Sequence, residues 1–189
     1  MMVTDPAQQL WENLAQRYNL EWADIQVGPV KLQILQIRDL EDYLVSNIEQ
    51  QGLSLENFPY WAMVWDSALI MADFLVKQEP QADRRILEIG AGLGFAGLCA
   101  AARGHTVTLS DNVADALAFA RLSILQNTLT TVRVEYLDWQ NPTLTGTYDW
   151  IIGAENLPTL AQRLCPLSGP RRQNFPDSGH QGHRPQGLL

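Results

Sequence analysis

Two periods of apolar residues run through the first 80 positions. Leu10, Trp11, Leu14 and Tyr18 recur at helical spacing after Thr4-Asp5-Pro6, where an acceptor side chain can cap and proline suits the first turn. Val30, Leu32 and Ile34 then alternate with Lys31 and Gln33, the period-two pattern of a strand with one buried face. Gly28-Pro29 is turn chemistry, so a hairpin with 22–27 is expected. Asp39 caps a helix with Leu40, Tyr43, Leu44 and Ile48 on one face, and a loop follows to Pro59. A further helix is predicted over 67–77, with Leu69, Phe74 and Leu75 as core positions, and Glu79-Pro80 stops it.

From Arg85 the pattern changes to strands alternating with helices. Short β-branched or apolar runs at 86–89, 106–109, 132–136 and 150–153 read as strands. The segments 95–102 and 113–126 read as helices, the second with Leu117, Ala120, Leu122, Ile124 and Leu125 as its apolar positions. Such alternation predicts a parallel sheet covered on both faces, with ligands at the carboxyl ends of the strands.

Length and charge narrow the picture. The chain has 189 residues, suited to one domain, and 46% are hydrophobic, enough for a core. A net charge of −8 argues against a nucleic-acid binder that works by bulk charge. No apolar run reaches the roughly 18 residues of a membrane span, and the N-terminus lacks a signal-peptide layout. Two cysteines, Cys99 and Cys165, make neither a disulfide framework nor a zinc site, so a reducing cytoplasm is expected. The three histidines are not set out as metal ligands, and Cys99 reads as a packed core residue.

The strongest chemical signal is Leu87-Glu88-Ile89-Gly90-Ala91-Gly92-Leu93-Gly94, which follows a strand and opens a helix. Gly90 and Gly92 permit close backbone approach to a ligand, and the helix N-terminus beyond offers free N–H groups. The same residues could form a dinucleotide-binding turn or a tight structural turn. Asp111 ends the second strand about twenty residues on, where an acid accepts hydrogen bonds from ribose hydroxyls; it could also cap the next helix. Asp138-Trp139 follows the third strand. An acid beside an indole suits an adenine, although an exposed acid beside a core tryptophan reads the same way.

The ordered set 87–94, Asp111, Asp138-Trp139 and Ile151-Ile152-Gly153-Ala154-Glu155 resembles the class I S-adenosylmethionine-dependent methyltransferases. Within them it is similar to methyltransferase family 16, which holds many protein lysine methyltransferases. The segment Pro59-Tyr60-Trp61-Ala62-Met63-Val64-Trp65-Asp66-Ser67-Ala68 supports that narrower likeness. The resemblance runs from about Trp22 to Glu155. It implies an α/β, Rossmann-like, mostly parallel sheet and S-adenosyl-L-methionine as cofactor. By that likeness Glu88 belongs to the cofactor motif, and Gly90, Ala91 and Gly92 line the methionine part. Asp111 holds the ribose, Asp138 and Trp139 flank the adenine, and Trp65 and Ala154 close the methionine end, where Trp61 and Trp65 either face the cofactor's sulfonium, an attraction worth about 0.5–2 kcal/mol, or are core. Glu155 matches the acid that orients a lysine amine or takes its proton. The family's aromatic three residues later is Pro158 here.

The division expected is a helical and hairpin extension over 1–58, a cofactor-binding core over 59–155, and a tail over 156–189. Residues 1–155 carry 9 basic and 20 acidic side chains, whereas the tail carries four Arg, one Asp and five of the ten prolines. The resemblance implies three more strands, and the tail has no pattern for them. A shifted reading frame at codon 156 is one origin of this break: Asn156-Leu157-Pro158-Thr159 is compatible with Ile-Tyr-Arg-Pro one base away. A natural binding tail is the other.

Three functions follow from these residues. The first is a methyltransferase acting on a protein lysine or a small-molecule amine. The second is a non-catalytic remnant that keeps the cofactor half-site. The third is a nicotinamide oxidoreductase, which shares the glycine turn and the acid but gives Asp138-Trp139 and Trp65 no task.

Overall fold

A computed structural model describes residues 5–51, 58–81, 83–138 and 146–153. Helix α1 (Pro6–Ala15) is capped by Asp5, whose carboxylate accepts from the Ala7 N–H at 3.1 Å. Strands β1 (Leu20–Val27) and β2 (Val30–Ile37) pair antiparallel in full register, Leu20 with Ile37 and Val27 with Val30. Gly28, at φ +56°, makes the two-residue turn. Helix α2 (Leu40–Gln51) extends into the stretch expected as loop, and Ile48 on its apolar face is half exposed. A 3-10 turn (Tyr60–Ala62) leads to α3 (Asp66–Val76).

The second sheet is wholly parallel. Strands β3 (Arg85–Ile89), β4 (Thr106–Asp111), β5 (Val132–Tyr136) and β6 (Trp150–Gly153) stand in the order β5-β4-β3-β6. Helices α4 (Phe95–Ala102) and α5 (Ala114–Gln126) join the first three strands. The chain steps outward from β3 to β5, then returns to place β6 on the far side of β3. This reversal puts the topological switch at the carboxyl end of β3, the preferred ligand position in open parallel sheets.

The hairpin packs its alternating face onto the helical layer, so Val30, Leu32 and Ile34 share one core with α3, α4 and β3. A second core gathers Leu14, Leu35 and Ala62 from the N-terminal elements, Leu93 from the turn after β3, and Phe119 from α5. Ser123 joins them, donating its hydroxyl proton to the Phe119 carbonyl and accepting from the Leu35 N–H at 2.9 Å. Cys99 is fully buried, as expected.

Helix α3 corrects the expected core. It buries Ala72, Leu75 and Val76 and leaves Leu69 and Phe74 nearly half exposed. An 11-residue helix that is apolar nearly all round carries no stripe, so its neighbours decide which face is covered. Leu125 of α5 is likewise exposed. Among the described residues, no helix is long and apolar enough to cross a membrane.

Candidate functional site

The glycine turn occupies the switch point and presents two different faces. Gly90 and Gly92 sit at φ +60° and +55°, conformations that cost an L side chain about 1–2 kcal/mol. The Ala91 N–H donates to the Ser110 carbonyl at 3.0 Å, and the Gly94 N–H donates back to Ala91 at 2.7 Å. A Cβ on Gly90 would meet nothing within 4 Å, so this side of the turn is open to a ligand. A Cβ on Gly92 would lie 2.8 Å from the Trp61 carbonyl oxygen, so this side is closed by the 58–65 segment.

Two carboxyl groups hold the turn. Asp111 ends β4 and is 6% exposed. Its Oδ2 accepts from the Gly92 N–H and its Oδ1 from the Val113 N–H, each at 2.9 Å. It is not the cap of α5, whose cap residue is Val113, but it bonds that residue's N–H and so ties the approach to the helix to the glycines. Burial raises its pKa above the ordinary range, opposed by these backbone donors and that of Asn112. Glu88, 3% exposed, points under α4, where Oε2 accepts from the Gly97 N–H at 2.8 Å. Burial pushes its pKa up to about 8; the Gly97 bond opposes this and the Asp111 charge adds to it. Glu88 thus ties β3 to the first turn of α4, which directly follows the glycines, while the open face lies at Gly90.

Three strand ends come together here. The Leu137 N–H donates to the Asp111 carbonyl at 3.0 Å, which sets Asp138, half-buried, beside the end of β4. Trp65 is the residue before α3, half-buried, with its indole N–H donating to the Tyr60 carbonyl at 3.0 Å. It lies on the same segment whose Trp61 carbonyl abuts Gly92. Trp61 itself is half-buried and packs against Phe119 at 5.2 Å and Tyr18 at 5.8 Å between ring centres. Trp139, Ala154 and Glu155 lie outside the described residues. Sequence reasoning missed the Trp61 carbonyl, since a backbone group leaves no residue-type signal. It also passed over Asp115, four residues after Asp111 on α5, which receives bonds from Arg17 and Tyr18.

The family model for lysine methyltransferases matches residues 54–157, more than half of the chain. The chain belongs to the lysine methyltransferase family. The match begins before the Trp61–Trp65 segment and ends two residues past Glu155, close to the break in charge and proline content. The chain is 34% identical over 119 residues to the protein N-lysine methyltransferase METTL21A of Xenopus tropicalis, which covers 57% of this chain and 55% of that protein. It is 36% identical over 86 residues to the histone-arginine methyltransferase METTL23 of Xenopus laevis, covering 44% and 37% respectively. The chain spans about half the length of the curated relatives it matches. A solved S-adenosylmethionine-dependent methyltransferase from Agrobacterium tumefaciens superposes with a TM-score of 0.53 at 16% identity, covering 84% of this chain and 58% of that one. The fold of this family member is accordingly that of the class I methyltransferases.

Proposed function

We propose that this chain binds S-adenosyl-L-methionine at the carboxyl ends of β3, β4 and β5 and that it transfers the methyl group to a lysine amine of a protein. The observation that carries the reading is the glycine turn: open at Gly90, closed behind Gly92, and tied to Asp111 in a chain of the lysine methyltransferase family. The residues present suit this cofactor. The open face of Gly90 leaves room for backbone contact with its methionine part. Each Asp111 oxygen accepts one backbone N–H and has a further lone pair for a ribose hydroxyl. Asp138 and Trp139 flank the adenine in this reading, and Trp65 and Ala154 border the methionine end.

When bound, S-adenosylmethionine supplies an electrophilic methyl group on its sulfonium. The protein's part is to align the amine in line with that methyl and to keep water out. The aromatic segment 58–65 stands at the wall where such exclusion is needed. A lysine amine must be unprotonated to attack, and Glu155 is the group we assign to orient the ammonium and to take its proton, directly or through water.

Similarity to a histone-arginine methyltransferase supports an arginine acceptor as the second reading. Tritiated S-adenosylmethionine, incubated with the chain and a panel of basic proteins, separates the two. Acid hydrolysis of the labelled protein should release methyl-lysine. Methyl-arginine would move the assignment to the second reading, and no label in any protein would remove both.

A further inference from the structure

Tyr18 lies in the turn between α1 and β1, far from the glycine motif in sequence, yet two routes of contact lead from it to Gly92. Its ring meets Trp61 edge-on at 5.8 Å, Phe119 edge-on at 5.6 Å and Tyr43 at 5.6 Å. Trp61 in turn sets its carbonyl oxygen against Gly92, where a Cβ would stand only 2.8 Å away. The second route is polar. The Tyr18 hydroxyl donates to Asp115 Oδ2 at 2.5 Å, and Arg17 grips the same carboxylate, Nη2 donating to Oδ1 at 2.8 Å and Nη1 to Oδ2. Asp115 stands in the first turn of α5, whose start is held by Asp111, the same group that accepts from Gly92. Burial, and then the bond to Asp115, raise the Tyr18 phenol above its ordinary range, so it remains a donor.

We propose that Tyr18 is a positioning residue for the cofactor pocket: it clamps the 58–65 segment and the start of α5 together against the two sides of the Gly92 turn, so that the N-terminal segment forms part of the pocket wall. The proposal rests on the S-adenosylmethionine reading. Sequence at the glycine motif alone would not build this wall, because the Trp61 carbonyl reaches Gly92 only when the aromatic cluster behind it is packed.

Calorimetry with S-adenosylhomocysteine on the full chain tests this, with circular dichroism ensuring that every variant is folded at the assay temperature. Tyr18→Leu removes the ring contacts and the hydroxyl, and should weaken binding about tenfold. Tyr18→Phe keeps the packing and loses the hydroxyl bond, Asp115→Asn keeps it and weakens the bonds to both Tyr18 and Arg17, and each should weaken binding about threefold. Val30→Ala, in the core cluster away from Tyr18, should lower the melting temperature and leave the affinity within about twofold. Wild-type affinity in Tyr18→Leu overturns the proposal, as does an equal loss in Val30→Ala. If Tyr18→Leu does not fold, Tyr18→Phe and Asp115→Asn decide, and wild-type affinity in both overturns it. A wild type that binds no S-adenosylhomocysteine sinks the cofactor reading and this proposal together. A wild type that binds, beside a Tyr18→Leu that binds equally, sinks the proposal alone.

Discussion

Alanine at Gly90 and alanine at Gly92 impose nearly the same backbone strain and should have opposite consequences. Both sites sit near φ +60°, so each substitution costs about 1–2 kcal/mol from the left-handed backbone alone. At Gly90 the new methyl meets nothing within 4 Å, and the cost ends there. At Gly92 it would stand 2.8 Å from the Trp61 carbonyl, and forcing that segment back adds about 1–3 kcal/mol. For a chain of this size about 1 kcal/mol moves the melting temperature by roughly 2–4 °C. Gly90→Ala should therefore lower it by about 2–8 °C, and Gly92→Ala by about twice as much. Binding should invert the order of interest. The Gly90 methyl points into the space assigned to the cofactor, so this mild variant should lose at least about tenfold in S-adenosylhomocysteine affinity, the equivalent of about 1.4 kcal/mol. Thermal melts without ligand, followed by melts across a ligand titration, read both quantities. A Gly90→Ala protein that gains as much stability from ligand as the wild type would refute the open-face argument and leave the turn a structural device.

Other substitutions test the supports of the site. Asp111→Asn offers one acceptor to two N–H donors, so an amide group must face Gly92 or Val113; calorimetry and urea unfolding should show a loss of about 1–3 kcal/mol in stability together with weaker cofactor binding. Glu88 has a folded pKa near 8 against an ordinary value of 4.5, so the stability it contributes is complete below about pH 4.5 and is lost as pH rises through 8. Urea unfolding should show stability falling over that window, and Glu88→Gln should flatten the fall; an unchanged slope in the variant contradicts the assignment. His105 is fully buried, and burial lowers its pKa below the ordinary 6.5, opposed by bonds to the Gln78 and Leu75 backbone. Its contribution is present above pH 6.5 and is lost as pH falls through the lowered value. Between pH 7 and pH 5.5 the wild type should therefore lose more stability in urea unfolding than His105→Leu does; an equal or smaller loss in the wild type contradicts the reasoning.

The parts legible in the sequence were those whose signal is local. The alternation Val30-Lys31-Leu32-Gln33-Ile34 set the face of β2, and Gly28-Pro29 set its turn. The run from Leu87 to Gly94 announced a strand, a turn and a helix in order, and Asp111 stood at the distance where the next parallel strand ends. The parts that failed depend on partners distant in the chain. Leu69 and Phe74 are as apolar as Leu75, and only the packing of α3 on its neighbours decides that Leu75 is covered. His105 follows Arg103-Gly104, which is turn chemistry with no sign of burial, yet it is fully buried. The contact between Tyr18 and Asp115 spans 97 positions and has no periodicity to betray it. The Trp61 carbonyl could not have been found at all from residue type.

The account's central claim is that the carboxyl ends of β3, β4 and β5 form a pocket for S-adenosylmethionine rather than for a dinucleotide. The most direct test is paired calorimetry of the full chain with S-adenosylhomocysteine and with NAD, repeated on Asp111→Ala. The account predicts saturable one-to-one binding of S-adenosylhomocysteine, no heat with NAD, and an affinity weakened by about 1–3 kcal/mol in the variant. Binding of NAD with none of S-adenosylhomocysteine, or equal affinity for S-adenosylhomocysteine in both proteins, would contradict it.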